Sequence, residues 1–262
     1  MFSKLPWPVK TYRSNRIEFE NVADRQDRVP GFSTAKLQNK KVLMIGAGGL
    51  GSAVAIPLAR KGIGELHICD NDHVEIANLN RQEFFEEDLY QPKAFCLAKN
   101  AARAGFLGTL CVGHYVGFDN ESAEILTEGI DVAVVGVDNN LTRLLACRFF
   151  REKKIPTIFT AVNEEANFGY VFLQVPGGPC SVCVQPYIAD ADDERRRCQP
   201  SPAVIDILRI MGGFVIYAID SLVMDRARAW NFRSVDLVGG APDIVSQTVR
   251  NPKCRLCGSG NC

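Results

Sequence analysis

Asp70, Asn78, Arg81, Gln82, Lys93 and Asp138 have the side-chain types needed to hold a phosphate ester, and all follow the turn Gly46-Ala47-Gly48-Gly49-Leu50-Gly51. Glycines at the first, third and sixth positions permit a tight turn, let backbone N–H groups approach a phosphate and allow close helix–sheet packing. Asp70 closes the next apolar run, where a carboxylate can accept both ribose hydroxyls; this fits NAD and ATP equally. Arg81 and Lys93, beyond that acid, supply cations for a β,γ-phosphate tail that NAD lacks. Singly, either cation is a solvated surface charge. Asp138, at the end of the run Val132–Val137, is placed to hold Mg²⁺ through one oxygen or, alternatively, to cap the helix that follows Asn139.

A second chemistry is carried by sulfur. Ten cysteines occur in 262 residues, and four form two C-x-x-C knuckles, Cys180/Cys183 and Cys254/Cys257, the spacing of a closed tetrahedral Zn²⁺ clip. Four thiolates leave no position for a catalytic water, so the expected metal is structural. Cys198 follows Arg195-Arg196-Arg197 and precedes a helix start, surroundings that favour thiolate, although a loop cysteine without chemistry is the alternative. Cys69, Cys96, Cys111 and Cys147 fall in apolar patterns and read as core, and Cys262 as a free terminal thiol or, alternatively, a replacement zinc ligand. His67, His73 and His114 show no ligand spacing and are assigned no role.

The elements that must position these residues alternate. Apolar runs Val42–Ile45, Glu65–Cys69, Thr109–His114, Asp131–Val137 and Thr157–Ala161 are separated by helix-type segments near Gly49–Arg60, Lys93–Ala104, Glu121–Thr127 and Leu141–Lys153. This βαβ rhythm predicts an α/β, Rossmann-like, doubly wound and mostly parallel sheet. Tyr170–Val175 and a strand near Ser234–Leu237 extend it on the C-terminal side. Residues 1–40 read as a leading arm with a short helix, and 41–262 as one domain with a nucleotide-binding half (41–165) and a carrier-binding, zinc-clip half (166–262). Thirty Lys plus Arg balance thirty Asp plus Glu, so global charge points to neither nucleic acid nor acidic membrane. Val204–Met224 has the length of a span but contains Asp206, Arg209 and Asp220, which makes it a buried helix. The N-terminus lacks a signal-peptide pattern, and a cytoplasmic location is expected.

Taken together, GAGGLGS (Gly46–Ser52), the D-N-D of Asp70–Asp72, NLNRQ (Asn78–Gln82), QPK (Gln91–Lys93) and VDNN (Val137–Asn140) resemble the ThiF/MoeB/HesA family of ubiquitin-activating-enzyme-like adenylyltransferases. The resemblance covers about residues 24–260. It implies that Gly46, Gly48, Gly49, Leu50, Gly51, Asp72, Gln82 and Asn139 line the nucleotide and that Asp70 binds ribose. By the same resemblance Asn78 and Arg81 contact phosphates, Lys93 grips the triphosphate, and Asp138 positions Mg²⁺ and the α-phosphate. Arg25 matches a finger entering a partner subunit's site, with Arg28 a nearby competitor, which implies a homodimer or a heterodimer with composite sites, the homodimer being the expected form. The implied substrate of ATP-dependent adenylation is the C-terminal carboxylate of a ubiquitin-like or sulfur-carrier protein ending in Gly-Gly, with Cys198 a candidate acceptor thiol. Other branches of the superfamily adenylate short peptides or RNA bases. A NAD-dependent oxidoreductase would explain Gly46–Gly51 and Asp70 but not Arg81, Lys93 and Asp138; a non-catalytic scaffold for a ubiquitin-like protein would keep the fold without turnover.

Overall fold

The computed structural model describes residues 5–18, 21–190 and 202–258. Among these residues nine strands form one sheet: β1 Val9–Arg13, β2 Lys41–Ile45, β3 Glu65–Asp70, β4 Leu110–Tyr115, β5 Val132–Val135, β6 Thr157–Val162, β7 Phe168–Gln174, β8 Phe232–Asp236 and β9 Ile244–Ser246. Eight α-helices accompany them among the described residues: α1 Asp24–Asp27, α2 Thr34–Gln38, α3 Gly49–Lys61, α4 Lys93–Ala104, α5 Asn120–Leu126, α6 Asn140–Glu152, α7 Ser181–Val184 and α8 Ile205–Val223. The sheet order is β1-β4-β3-β2-β5-β6-β7-β8-β9. Strands β4, β3, β2, β5 and β6 run parallel, and β1, β7, β8 and β9 join antiparallel. The expected doubly wound sheet is present, with C-terminal strands extending one edge.

The opposite edge differs from expectation. Within the leading arm, Val9–Arg13 forms a strand, with Val9 opposite His114 and Arg13 opposite Leu110. Its alternation of Lys10, Thr11, Tyr12 and Arg13 covers the edge with polar side chains while Tyr12 packs inward against the core.

The period-two alternation of strand side chains makes two cores. Val42, Met44, Val132 and Val134 point to the side covered by α3, α4 and α8, whereas Leu43, Ile45, Ala133 and Val135 point to the side of α5 and α6. Both faces of the parallel strands are therefore buried, which explains their continuous apolar runs. Segment 204–224, read as a buried helix, is α8 over most of its length; Asp220 in it is ion-paired to Lys61 of α3. No helix among the described residues is long and apolar enough to cross a membrane. Cβ atoms added at Gly49 and Gly212 would lie 2.6 Å from Leu208 Cδ1 and 2.8 Å from the Ala53 carbonyl oxygen, so small residues set the close approach of α8 to α3.

Candidate active site

The parallel strand order reverses between β2 and β5, and there the carboxyl ends of two strands leave a crevice. The glycine turn leaves β2 at this point. Gly46 takes φ +95°, with the Gly136 carbonyl oxygen 3.1 Å from where a Cβ would stand. A Cβ at Gly51 would collide with the Gly46 carbonyl oxygen. Gly48 meets nothing within 4 Å; the space beside it is open. Leu50 is buried, and its Cβ lies close behind Gly136. α3 starts at Gly49 and directs its N-terminal N–H groups and positive dipole end toward this space.

Asp70 ends β3 beside the turn. Its Oδ2 accepts the Ala47 N–H at 2.7 Å and its Oδ1 the Asp72 N–H at 2.8 Å, leaving lone pairs on both oxygens for ligand hydroxyls. Burial pushes this carboxyl above its ordinary range, against the pull of those two N–H donors and of Lys93. Hydroxyl donors from a ribose would replace hydration that the site has removed. Lys93 begins α4, its Nζ 3.0 Å from Asp72 Oδ2; the lysine side chain is 12% exposed and the aspartate 66%. The backbone N–H of Lys93 also donates to the Asp72 carbonyl at 2.9 Å. The structure thus brings Asp70, Asp72 and Lys93 together at the crevice, although 21 to 23 residues separate the aspartates from the lysine.

The segment carrying Asn78, Arg81 and Gln82 is a tight 3₁₀ turn and its continuation. Asn78 is buried, and its Oδ1 accepts the Glu75 N–H at 3.0 Å, so its carbonyl holds the turn's shape. Arg81 donates through Nη1 to the Ala77 carbonyl and to Asn80 Oδ1; Nη2 and Nε lie outside these bonds. Gln82 Oε1 is buried without a hydrogen-bond partner in the structure. Glu83 pairs with Arg209 of α8, fastening this segment to the helix layer.

Asp138 is exposed in the loop after β5. The helix cap it was able to supply comes from Asn139, whose Oδ1 accepts the Thr142 N–H at 2.8 Å. Arg143, missed in the sequence, braces this loop: Nη2 donates to the Val137 carbonyl at 2.7 Å and Nη1 to Asn140 Oδ1 at 2.9 Å. Its position three residues beyond Asn140, on the same helix face, was the available signal.

Arg25 lies elsewhere. It sits on α1 with its side chain 90% exposed, whereas the competing Arg28 is engaged by Asp24 Oδ1 at 2.9 and 3.1 Å. Cys198 and Cys262 lie outside the described residues.

The four knuckle cysteines converge. Their Sγ atoms all lie within 4.8 Å of one another, with Cys180–Cys183 at 3.8 Å, Cys180–Cys254 at 3.5 Å and Cys183–Cys257 at 3.3 Å. Tetrahedral ligands at the usual Zn–S length stand about 3.8 Å apart, so the donor set and spacing fit such an ion. Cys69, Cys96, Cys111 and Cys147 are buried as expected. His67 Nδ1 and His114 Nε2 meet at 3.0 Å across neighbouring strands, a contact not foreseen from the sequence. A separation of 47 residues concealed this pair.

Comparison with known proteins places these features in one family. The ThiF family model matches residues 14–256. The SAMP-activating enzyme E1 of Haloferax volcanii is 31% identical over 243 residues, covering 89% of this chain and 86% of that protein. The sulfur carrier protein ThiS adenylyltransferase of Bacillus subtilis is 33% identical over 153 residues, 57% of this chain and 45% of its own length, so the chain spans under half of that relative. A crystal structure of E. coli MccB with ATP superposes with a TM-score of 0.71 at 19% identity, covering 91% of this chain and 75% of that one.

Proposed function

The chain belongs to the ThiF family, and from that premise we propose that it is an adenylyltransferase that activates the C-terminal carboxylate of a small ubiquitin-like or sulfur-carrier protein with ATP. The observation that carries this reading is the convergence of Asp70, Lys93 and the open flank of Gly48 on the mouth between β2 and β5. Asp70 accepts the ribose hydroxyls, the N-terminus of α3 receives phosphate at Gly48, and Lys93 and Arg81 hold the β,γ-phosphates. The carrier carboxylate, ionised at neutral pH, attacks the α-phosphorus, and pyrophosphate leaves as the cations take up its charge. No general base is required. An oxidoreductase has no use for the Arg81 and Lys93 pair.

Asp138 would hold Mg²⁺ at this mouth, where the ion supplies charge neutralisation for the phosphates. Asn139 makes the helix cap, so that role makes no demand on Asp138. Cys180, Cys183, Cys254 and Cys257 would hold Zn²⁺ as a structural cross-link between α7 and the C-terminal segment. The Gly-Gly ending of the carrier, transfer to a thiol such as Cys198, a homodimer with Arg25 acting in trans and a cytoplasmic location belong to the same reading. So does residue range 41–262 as one adenylation domain.

The test is exchange of labelled pyrophosphate into ATP with a Gly-Gly-ending β-grasp protein from the same organism as carrier. Carrier-dependent exchange is expected, and Arg81→Ala and Lys93→Ala each remove at least 100-fold of it with the fold intact. Undiminished exchange in both variants sinks the phosphate assignment, and absent exchange in the parent leaves the scaffold reading.

A further inference from the structure

The segment bearing Arg25 is fastened to the far end of the helix that begins at the phosphate cradle. Gln26 Nε2 donates to the carbonyl of Lys61, the last residue of α3, at 3.1 Å and to Thr34 Oγ1 at 2.6 Å. Thr34, buried to 4% exposure, passes the hydrogen bonding on: its Oγ and its backbone N both donate to Asp27 Oδ1, at 2.8 and 2.7 Å. The directions are fixed, because the amide of Gln26 donates, the hydroxyl of Thr34 accepts and donates, and the carboxylate of Asp27 only accepts. The Lys61 carbonyl belongs to the last turn of α3, where carbonyls lack partners within the helix. Lys61 Nζ pairs with Asp220 of α8 and stands 4.7 Å from the centre of the Phe32 ring. The arm therefore grips the end of α3 through both the carbonyl and the side chain of Lys61.

Two consequences concern Arg25. Twelve residues at 1.5 Å each put Lys61 about 18 Å from Gly49, more than an arginine side chain spans, so Arg25, next to the Gln26 that binds Lys61, is mounted at the end of α3 remote from its own crevice. The side chain is 90% exposed, with Asp24 its nearest recorded carboxylate at 3.9 Å, while Arg28 is bound. We propose that Gln26, Thr34 and Asp27 are positioning residues that mount Arg25 for use in the site of a second copy of this chain. The inference rests on the reading of Arg25 as a finger in trans and adds the device that aims it. Holding α1 at a fixed angle lowers the entropy that the finger loses on insertion.

The test uses differently tagged copies assembled as mixed dimers, with the same Gly-Gly-ending β-grasp carrier and labelled pyrophosphate. Gln26→Leu and, as an isosteric alternative, Thr34→Val are each expected to slow exchange about tenfold or more as homodimers through kcat, with KM for ATP near the parent value. In a mixed dimer with Lys93→Ala, the only intact crevice belongs to the Gln26→Leu or Thr34→Val copy and receives its finger from the Lys93→Ala copy. Exchange should return to half the parent rate. A mixed dimer as slow as the homodimer means that the defect stays with its own crevice and overturns the mount, as does parent-like exchange in both homodimers. Arg25→Ala, run in parallel, separates the two levels: parent-like exchange there removes the finger itself.

Discussion

Gly48 and Gly51 lie three residues apart in one turn, yet the backbone asks different things of them. Gly48 has ordinary extended dihedrals, φ −77° and ψ −152°, and open space where a Cβ would stand. A Cβ at Gly51 would stand 2.2 Å from the Gly46 carbonyl oxygen, far inside contact. Alanine at Gly48 should leave stability within about 0.5 kcal/mol of the parent while its methyl occupies the space assigned to phosphate, so ATP affinity measured by calorimetry falls at least about tenfold. Alanine at Gly51 should destabilise the fold by more than about 2 kcal/mol, seen as a lowered denaturant midpoint before any ligand is added. Equal ATP affinity in Gly48→Ala and the parent contradicts the cradle. The motif spacing shows where the turn is, but only the three-dimensional neighbours separate the glycine kept for packing from the glycine kept for space.

At the scale of elements, β2 through β6 and their intervening helices could be read from the chain because both sheet faces are covered, which leaves uninterrupted apolar runs. β1 and β9 could not: each is an edge strand with exposed or half-exposed residues, and its pairing partner lies far away in sequence or across a Gly- and Pro-containing loop. The site was legible to the same extent. Asp70 and Lys93 sit at the ends of regular elements and Arg143 carried only its i,i+3 spacing from Asn140, whereas the His67–His114 contact arises from packing that no local pattern encodes. The cysteine clip is the element-scale device whose spacing was sufficient. One Zn²⁺ per chain is expected by elemental analysis, and Cys254→Ser or chelation should lower Tm by about 5–10 °C. Pyrophosphate exchange at a temperature well below Tm should persist, because four closed thiolates take no part in the chemistry. Loss of exchange in step with zinc at low temperature would show that the clip shapes the crevice as well as tethering the chain.

For the whole molecule, the N-terminal segment is joined to the sheet through a hydrogen-bonded chain of rings. Trp7 Nε1 can only donate, so His114 Nδ1, 3.2 Å away, accepts; His114 Nε2 then donates to His67 Nδ1 at 3.0 Å, and His67 Nε2 to Glu65 Oε2 at 3.2 Å. This order requires both imidazoles neutral. Burial, with the neighbouring His67 charge second, pushes His114 down from its ordinary 6.5 to about 3, and burial lowers His67 as well. Between those two values the unfolded chain binds protons that the folded chain does not, so acid favours unfolding. The stabilisation is complete above pH 6.5 and is lost as pH falls toward 3. Its size is on the order of a few kcal/mol. Glu65, whose carboxyl is held below its ordinary range by His67 and Lys41 despite burial, adds to the slope only below its ordinary 4.5. Measured by urea unfolding, stability should therefore climb from pH 4.5 to 6.5 and level off. His114→Gln keeps an acceptor for Trp7 and removes the titrating ring, so its curve should be flatter over that interval even if its plateau is lower. Parallel curves for variant and parent would place the acid sensitivity elsewhere, since plateau height reports packing at the β1–β4 edge while slope reports the proton.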